Sequence, residues 1–482
     1  MKVYNNLSRQ KEEFLPLDPP KVKMYVCGIT PYDETHLGHA RAYVTFDIIR
    51  RYLEYSGYEV LYVQNITDID DKIIQKSKVK SQNFKDVVEE YTKSYFEVMD
   101  RLNVKRADVY PKATEHIEEM VRWIGGLIDR GYAYVLEDGV YFEVDKFKDY
   151  GKLSGRKKEA MEAGARVEIK EQKRNPLDFA LWKKAKEGEP SWPSPWGDGR
   201  PGWHIECSVM STKYLGEQFD IHGGGMDLEF PHHENEIAQT EALTGRVPWV
   251  KYWIHNGFVN INKQKMSKSL GNFFTLKEIY DKFDPVIVRF FLLSTHYRSP
   301  INYSDAEIQA AKEAYGRISS FIQDIDFLLE KSEEVSPKIE LEDLEEELTP
   351  YQEKFKSEMD DDFNTAGAIA AIFEMIKFCR KTLDEGEVEK ECLELMRKSV
   401  VDLSEVLGLK IRPDMPLEVQ SAMMKFSSDN VQLEELVKER DEARKNKDFR
   451  KADDLRQAIN EILKKTGTTL VDTPYGARVI RL

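Results

Sequence analysis

The stretch that most restricts how this chain can fold runs from Met24 to His39. Met24-Tyr25-Val26-Cys27 is an apolar run of the length a short buried strand requires, and the run continues to Ile29. From Leu37 onward, Leu37, Ala40, Val44 and Ile48 recur at helical spacing, and Gly57 marks the helix end. The pattern predicts a strand feeding a helix, with Thr35-His36-Leu37-Gly38-His39 at the junction. First-turn N–H groups lack intrahelical partners and the helix dipole is positive there, so such a junction attracts anions. His36 and His39, three apart, share a face, and Gly38 has no Cβ to keep a nucleotide from the backbone. ATP, with both histidines donating to phosphate oxygens, satisfies this chemistry. Two surface histidines at a helix start satisfy the spacing equally well.

Far downstream, Lys265-Met266-Ser267-Lys268-Ser269-Leu270-Gly271-Asn272 follows the apolar run Phe258 to Ile261. Two lysines, each a compact point charge, with serines and a glycine suit a loop that closes on phosphates. Alone, such a loop is ordinary solvated surface. Together the two stretches resemble the paired signature motifs of class I aminoacyl-tRNA synthetases, with Leu37 where isoleucine is also common. The resemblance implies catalytic roles for His36, His39, Lys265 and Lys268. It also implies ATP contacts from Gly38, His39 and Lys268, with Mg²⁺ on the phosphates.

At 482 residues the chain is long enough for two to four domains. Its net charge of −15 excludes a general nucleic-acid coat protein, while leaving room for a local basic surface. The polar start, Met1 to Phe14, is not a signal peptide, and no apolar run approaches the ~20 residues of a membrane span. Val286 to Leu293 comes nearest and is interrupted by Arg289. Four cysteines in so long a chain fit a reducing cytoplasm, not a disulfide framework.

The expected fold is α/β: a split Rossmann-like nucleotide-binding catalytic domain with an insertion, then a helical bundle and a small C-terminal α+β domain. The expected boundaries are 1–111 for the first catalytic half, 112–200 for the insertion and 201–304 for the second half. The bundle takes 305–412 and the terminal domain 413–482. Tyr58 to Ile66 predicts a second strand, ending in Asn65-Ile66-Thr67-Asp68-Ile69-Asp70-Asp71-Lys72. Polar residues there face the ligand crevice of an open α/β sheet, or simply cap the next helix. In the insertion, a helix over Thr114–Arg130 precedes a hairpin, Tyr132–Val135 and Val140–Val144, turning at Asp138-Gly139. A polar stretch rich in Lys, Glu, Pro and Gly follows, and the whole reads as an insertion that splits a nucleotide-binding fold. Phe219 to His222 predicts a strand leading into the loop Gly223-Gly224-Gly225, and Pro231 opens a helix to Leu243.

His232 and Glu236, four apart on that helix, have a spacing suited to a shared metal, though ordinary helix surfaces carry such pairs too. Cys27 and Cys207 read equally as small buried apolar residues. With Gly28-Ile29-Thr30 after Cys27 and Gly202-Trp203-His204-Ile205-Glu206 before Cys207, however, these positions resemble the zinc ligands of cysteinyl-tRNA synthetases. The resemblance extends over Asn65–Lys72, Arg289–Ser304 and Asp360–Thr365. It implies one Zn²⁺ held by Cys27, Cys207, His232 and Glu236, with L-cysteine, ATP and tRNA(Cys) as substrates. Asp227 and Thr67 then hold the amino acid's ammonium group, and Trp203 walls the side-chain pocket or is a core tryptophan. The alternative, on the same catalytic half, is a cysteine ligase that passes its adenylate to an amino sugar.

From about residue 305 the pattern is helical. Glu340–Glu347 reads as a solvated face, and N-capping suffices to explain the carboxylates Asp360-Asp361-Asp362. Cys379 and Cys392 are expected to be structural, and Pro413–Pro416 to be a linker. The tail from Glu434 carries more Lys and Arg than Asp and Glu, including Lys438, Arg440 and Arg444, and ends in an expected hairpin, Thr469–Ile480. In the family resembled, this part reads the anticodon, which is why the tail argues for tRNA over an amino sugar. The protein is expected to be a cytoplasmic monomer.

Overall fold

A computed structural model describes residues 1–156, 173–262, 264–265, 273–331, 339–386, 388–411, 436, 438–440, 442–444, 446, 448–464, 468–473 and 476–481. A hairpin of β1 (Lys2–Asn5) and β2 (Gln10–Glu13) precedes β3 (Lys21–Ile29), which is buried without a break from Met24 to Cys27. Continuous burial marks a strand covered on both faces. β3 feeds α1 (Leu37–Tyr55), and Gly57, at φ +88°, turns the chain just past its end. β4 (Glu59–Ile66), α2 (Asp71–Lys80) and α3 (Phe84–Arg101) follow, with Asp70 capping α2 by accepting from the Lys72 N–H.

The helix expected over Thr114–Arg130 is broken. A short turn, Ala113–Glu115, precedes α4 (Ile117–Asp129). His116 lies between them, buried, with its ring bonded to Lys112 O at 2.7 Å and Tyr214 Oη at 3.1 Å. The expected hairpin forms as β5 (Ala133–Leu136) and β6 (Gly139–Phe142). The polar stretch that follows contributes β7 (Phe179–Lys184) and β8 (Gly199–Pro201) to the same antiparallel sheet, in order β5-β6-β7-β8. Buried Phe179, Leu181 and Trp182 supply its apolar face.

After α5 (Trp203–Leu215) come β9 (Phe219–Gly225), α6 (Glu234–Thr244) and β10 (Val250–Asn256). Strands β10-β9-β3-β4 form one parallel sheet in that order. The chain leaves β3 toward β4 on one side and returns to β9 on the other, which creates a switch point at their C-terminal ends. The glycine triplet is part of β9, not a loop after it. His255 and Asn256 of β10 pair with Gly224 and Gly225. A Cβ at Gly223 would stand 2.1 Å from the Phe46 ring, so only glycine lets this strand end pass α1.

β11 (Val259–Ile261), β12 (Gln264–Lys265), α7 (Leu276–Tyr280), α8 (Pro285–Leu293) and β13 (Ile301–Tyr303) follow. The charge that interrupts the apolar run of α8 is a buried ion pair: Arg289 Nη2 lies 2.5 Å from Asp47 Oδ2. Arg289 also donates to the carbonyls of Leu407 and Leu102.

Five helices carry most of the rest: α9 (Asp305–Lys331), α10 (Leu341–Asp360), α11 (Thr365–Glu385), α12 (Lys390–Val406) and α13 (Phe449–Lys464). A hairpin of β14 (Thr468–Thr473) and β15 (Gly476–Arg481) ends the chain. The chain divides into two compact units. The first comprises 1–312, 353–371 and 405–409; the second comprises 313–352, 372–404 and 410–482. Within the second, Arg380 pairs with Asp324 and Arg397 with Asp326, and Cys379 and Cys392 are buried in helices. Arg440, one of the basic residues of the tail, is buried. Capping does not account for Asp362 either: Asn364 receives the Gly367 N–H, while Asp362 is a buried acceptor for other groups. The loop 266–272, with Lys268, and the expected linker Pro413–Pro416 lie outside the described residues, as does the side chain of Lys265. Among the described residues, no helix is long and apolar enough to cross a membrane.

Candidate active site and metal centre

His36 caps α1. Its Nδ1 accepts from the N–H groups of Gly38 at 3.1 Å and His39 at 3.4 Å, and His39 Nδ1 accepts from the His36 N–H at 3.3 Å. This is a capping box built of two histidines in place of the usual serine and glutamate. The two rings stack with centroids 3.7 Å apart. A neutral imidazole that accepts at Nδ1 carries its proton on Nε2, so both rings are set as Nε2 donors. The local structure thus satisfies two of the helix's open N–H groups and makes two donors in one step.

The cap forms one side of a cleft of about 360 Å³ at the C-terminal ends of β3, β9 and β10. Cys27, Gly28, Tyr32, His36, Gly38 and His39 line that side. Trp203, Gly224, Gly225, Asp227 and the run Asn256–Val259 line the other. Lys72 lies at the rim, its ammonium 5.3 Å from the centre of the Tyr32 ring. Asp227 and Trp203 are therefore where an amino acid in this cleft would meet them. Trp203 is not a core residue: it is 39% exposed and stacks on His232 at 4.2 Å. Thr67 does not line the cleft. It is buried, and its hydroxyl donates to Glu206 Oε2 at 2.9 Å.

Beneath the cleft, Cys27 from β3, Cys207 from α5, His232 and Glu236 bring one ligand atom each within 4.8 Å of one another, all buried. His232 is not on α6 as the spacing implied. It sits in the irregular turn Glu229–His233, where Phe230 is extended, and its Nε2 is 2.9 Å from Glu236 Oε1. The cysteine sulfurs are 3.8 Å apart and free. Burial favours neutral forms of all four groups. It pushes the Cys27 thiol up, the more so beside Cys207 and Glu236. Against the same burial, His222 and His232 hold Glu236 at about 2, and Glu236 and Cys207 raise His232 to about 10. Cys207, also against burial, is drawn down to about 6 by Cys27 and His232. Two sulfurs, an imidazole and a carboxylate converge on one buried point. That donor set fits a divalent, borderline-soft ion such as zinc.

Sequence reasoning missed most of the surrounding histidines. His204, His222, His232, His233 and His255, five of the nine in the chain, gather here. His222 Nε2 is 2.9 Å from Glu236 Oε2, the carboxylate oxygen that His232 leaves open. His233 lies 3.2 Å from Cys27 Sγ and 2.8 Å from His255. Cys27, His222, His233 and Glu236 form a second set of atoms equally close together. The set with two sulfurs is the better match for zinc, and His222 then orients Glu236 from outside. His222 pairs with Trp253 on the adjacent strand, two residues before His255, a proximity that sheet order creates and spacing in the chain does not reveal.

Residues 13–313 match the family model of the tRNA synthetases class I (C) catalytic domain, and residues 354–412 match that of the DALR domain. The fold agrees. A putative arginyl tRNA synthetase from Campylobacter jejuni superposes with a TM-score of 0.59 at 12% identity, over 82% of this chain and 94% of that one. The methionyl-tRNA synthetase of Mycobacterium tuberculosis, in complex with methionyl-adenylate, gives 0.59 at 16%, over 81% and 90%. Fold and site together are those of a class I tRNA synthetase. Relatives similar over their whole length narrow the class. The cysteine–tRNA ligase of Carboxydothermus hydrogenoformans is 50% identical over 99% of both chains, and that of Thermococcus onnurineus 51% identical over 99% of this chain and 98% of its own. The chain belongs to the cysteine–tRNA ligase family. These relatives include the tail, which supports tRNA as the acceptor and not an amino sugar.

Proposed function

We propose that the cleft performs its family's reaction, the joining of L-cysteine to tRNA(Cys) with ATP, with the roles that follow. The cysteine carboxylate attacks the α-phosphorus of ATP, which enters as its Mg²⁺ salt. Cysteinyl-adenylate forms and pyrophosphate leaves. The 2′-hydroxyl of the tRNA's terminal adenosine then attacks the activated carbonyl and AMP departs. His36 and His39, as Nε2 donors at a helix N-terminus, stabilise the charge that develops on the phosphates, beside Gly38. Lys265 and Lys268 take the matching role from the other motif. Asp227 receives the ammonium group, and Trp203 closes the pocket over His232.

Cys27, Cys207, His232 and Glu236 are the residues that would hold zinc. Bound there, zinc supplies a Lewis acid that favours a thiolate over a hydroxyl. This addresses the hardest task of the reaction, since cysteine and serine differ by one atom. An apolar pocket separates such small isosteres by only about 1–3 kcal/mol. His222 holds Glu236 in its ligating orientation, and the buried position of the quartet keeps water from competing.

The observation that carries the reading is the buried Cys, Cys, His, Glu quartet at the floor of a cleft lined by His36, Gly38 and His39. The test is ATP-dependent attachment of labelled cysteine to total tRNA, with serine as competitor and a chelated sample in parallel. Charging that ignores serine and falls on chelation is expected. Charging that is indifferent to chelation would refute the role given to the quartet.

A further inference from the structure

The segment between α8 and β13 touches both walls of the cleft, although none of its residues enters the roles above. On one side it is threaded by Arg41, a buried residue two positions beyond His39 on α1. The Arg41 guanidinium donates to the carbonyl of Leu292 and to those of Thr295, His296 and Ser299 at 3.2, 2.8 and 3.3 Å. On the other side the segment backs the wall Gly257–Val259. The Gly257 N–H donates to Tyr297 O at 2.8 Å, and the Ile301 N–H to Phe258 O at 2.9 Å. Fit is tight there: a Cβ at Gly257 would stand 2.6 Å from Arg298 O. The spacing between the histidine cap and the opposite wall is therefore set by where residues 294–300 sit.

One side chain fixes that segment from behind. Asp362 is fully buried. Its Oδ1 accepts from Tyr297 Oη at 2.8 Å and from the Tyr4 N–H at 2.8 Å, and its Oδ2 accepts from Arg298 Nε at 2.6 Å. Its own N–H donates to Lys2 O at 2.9 Å. To present the carboxylate this way the backbone adopts φ +65° at Asp362 and +54° at Phe363, two successive non-glycine residues in the left-handed region. Conformations of this kind persist only where the surroundings over-determine them, and they gather at sites with a functional demand.

We propose that Asp362 is a positioning residue for ATP: by holding Tyr297 and Arg298 it sets the wall Gly257–Val259 at the distance from His36 and His39 that the nucleotide requires. The inference rests on the cleft being the ATP site. Asp362 touches no substrate, and the zinc quartet is held by other elements, so the effect falls on ATP and spares cysteine.

The test is cysteine-dependent ATP–pyrophosphate exchange by the full chain, with ATP and cysteine varied separately. In Asp362→Ala the KM for ATP is expected to rise about tenfold, while that for cysteine stays within about twofold. Asp362→Asn, which keeps an oxygen for Tyr297 and Tyr4 but turns an NH₂ donor toward Arg298 Nε, is expected to fall between wild type and Asp362→Ala. An unchanged KM for ATP, or a parallel rise in both constants, overturns the proposal. Should Asp362→Ala not fold, Tyr297→Phe removes one donor to the same carboxylate and is expected to raise the KM for ATP about threefold; no rise overturns the proposal as well. His39→Ala separates the two levels. If it leaves the ATP parameters intact, the cleft is not the ATP site and the proposal falls with that reading. If it abolishes exchange while the Asp362 and Tyr297 variants bind ATP normally, the proposal alone falls.

Discussion

Glu236 accepts from two histidines at once, His232 on one oxygen and His222 on the other. The geometry gives the two imidazoles different jobs. In the proposed quartet His232 belongs to the donor set, whereas His222, buried against Trp253 with ring centroids 4.5 Å apart, would act through the carboxylate. Removing a partner of this outer kind typically weakens metal binding 10–100-fold, so His222→Asn is expected to lower zinc affinity by about that factor in competition with a chelator. Affinity equal to wild type would mean that Glu236 needs no orientation. At this scale the sequence was half legible. Cys27, Cys207, His232 and Glu236 stood out because flanking residues carried a family resemblance. His222, His233 and His255 did not, because what unites them is the adjacency of β9, β10 and the turn before α6, and no spacing rule encodes it.

Elements show the opposite balance. Strand, helix and hairpin patterns were readable where the apolar pattern was strong, as in β3, α1 and the hairpin of β5 and β6. They failed where glycine or polar residues mask the pattern. The Gly223–Gly225 triplet follows the apolar run of β9, yet it continues that strand, paired with β10, and at Gly223 the Phe46 ring of α1 occupies the space a side chain would fill. Gly223→Ala forces a methyl into that buried ring. Overpacking of this kind costs about 1–3 kcal/mol, which urea denaturation would register as a lower midpoint at unchanged slope. A midpoint equal to wild type would show that the ring yields freely. Asp71 offers a weaker, pH-dependent contrast. Against the pull of partial burial, Lys183 and Arg200 hold its carboxyl below the ordinary aspartate range, tying α2 to the insertion sheet. A depressed folded pKa adds stability above the unfolded value, and that stability is lost as pH falls through the folded one. Because the side chain is 59% exposed, solvent screening limits the pair to about 1 kcal/mol or less. Asp71→Asn should therefore destabilise slightly at neutral pH and not at all once the wild-type carboxyl is protonated. A cost that persists in acid would assign the effect to packing.

Across the whole molecule, the proposed metal centre joins parts of the chain that the insertion separates. Cys27 comes from the first stretch of the parallel sheet, while Cys207, His232 and Glu236 arrive only after residue 200, from α5 and from the turn and helix beyond β9. That the two halves meet was foreseeable from the resemblance; that residues 353–371 and 405–409 pack with the first unit was not, because buried single contacts such as Asp362 to Tyr297 leave no periodic trace. A ligand that binds only when these distant segments are assembled stabilises the fold by mass action. At a free concentration one hundred times its dissociation constant the gain is about 2.7 kcal/mol. Removing it also leaves a carboxylate and two sulfurs converging in a dry site, and burial then penalises whatever charge remains. Chelation is therefore expected to lower the melting temperature of the full chain by several degrees, and added zinc to restore it. Cys207→Ser should melt near the chelated value whether or not zinc is added. If wild type and Cys207→Ser respond to the chelator alike, the stabilising ion is bound elsewhere and the quartet is an apolar-core feature after all. If the wild type alone responds, an ion held by the quartet joins β3 to the elements that follow the insertion.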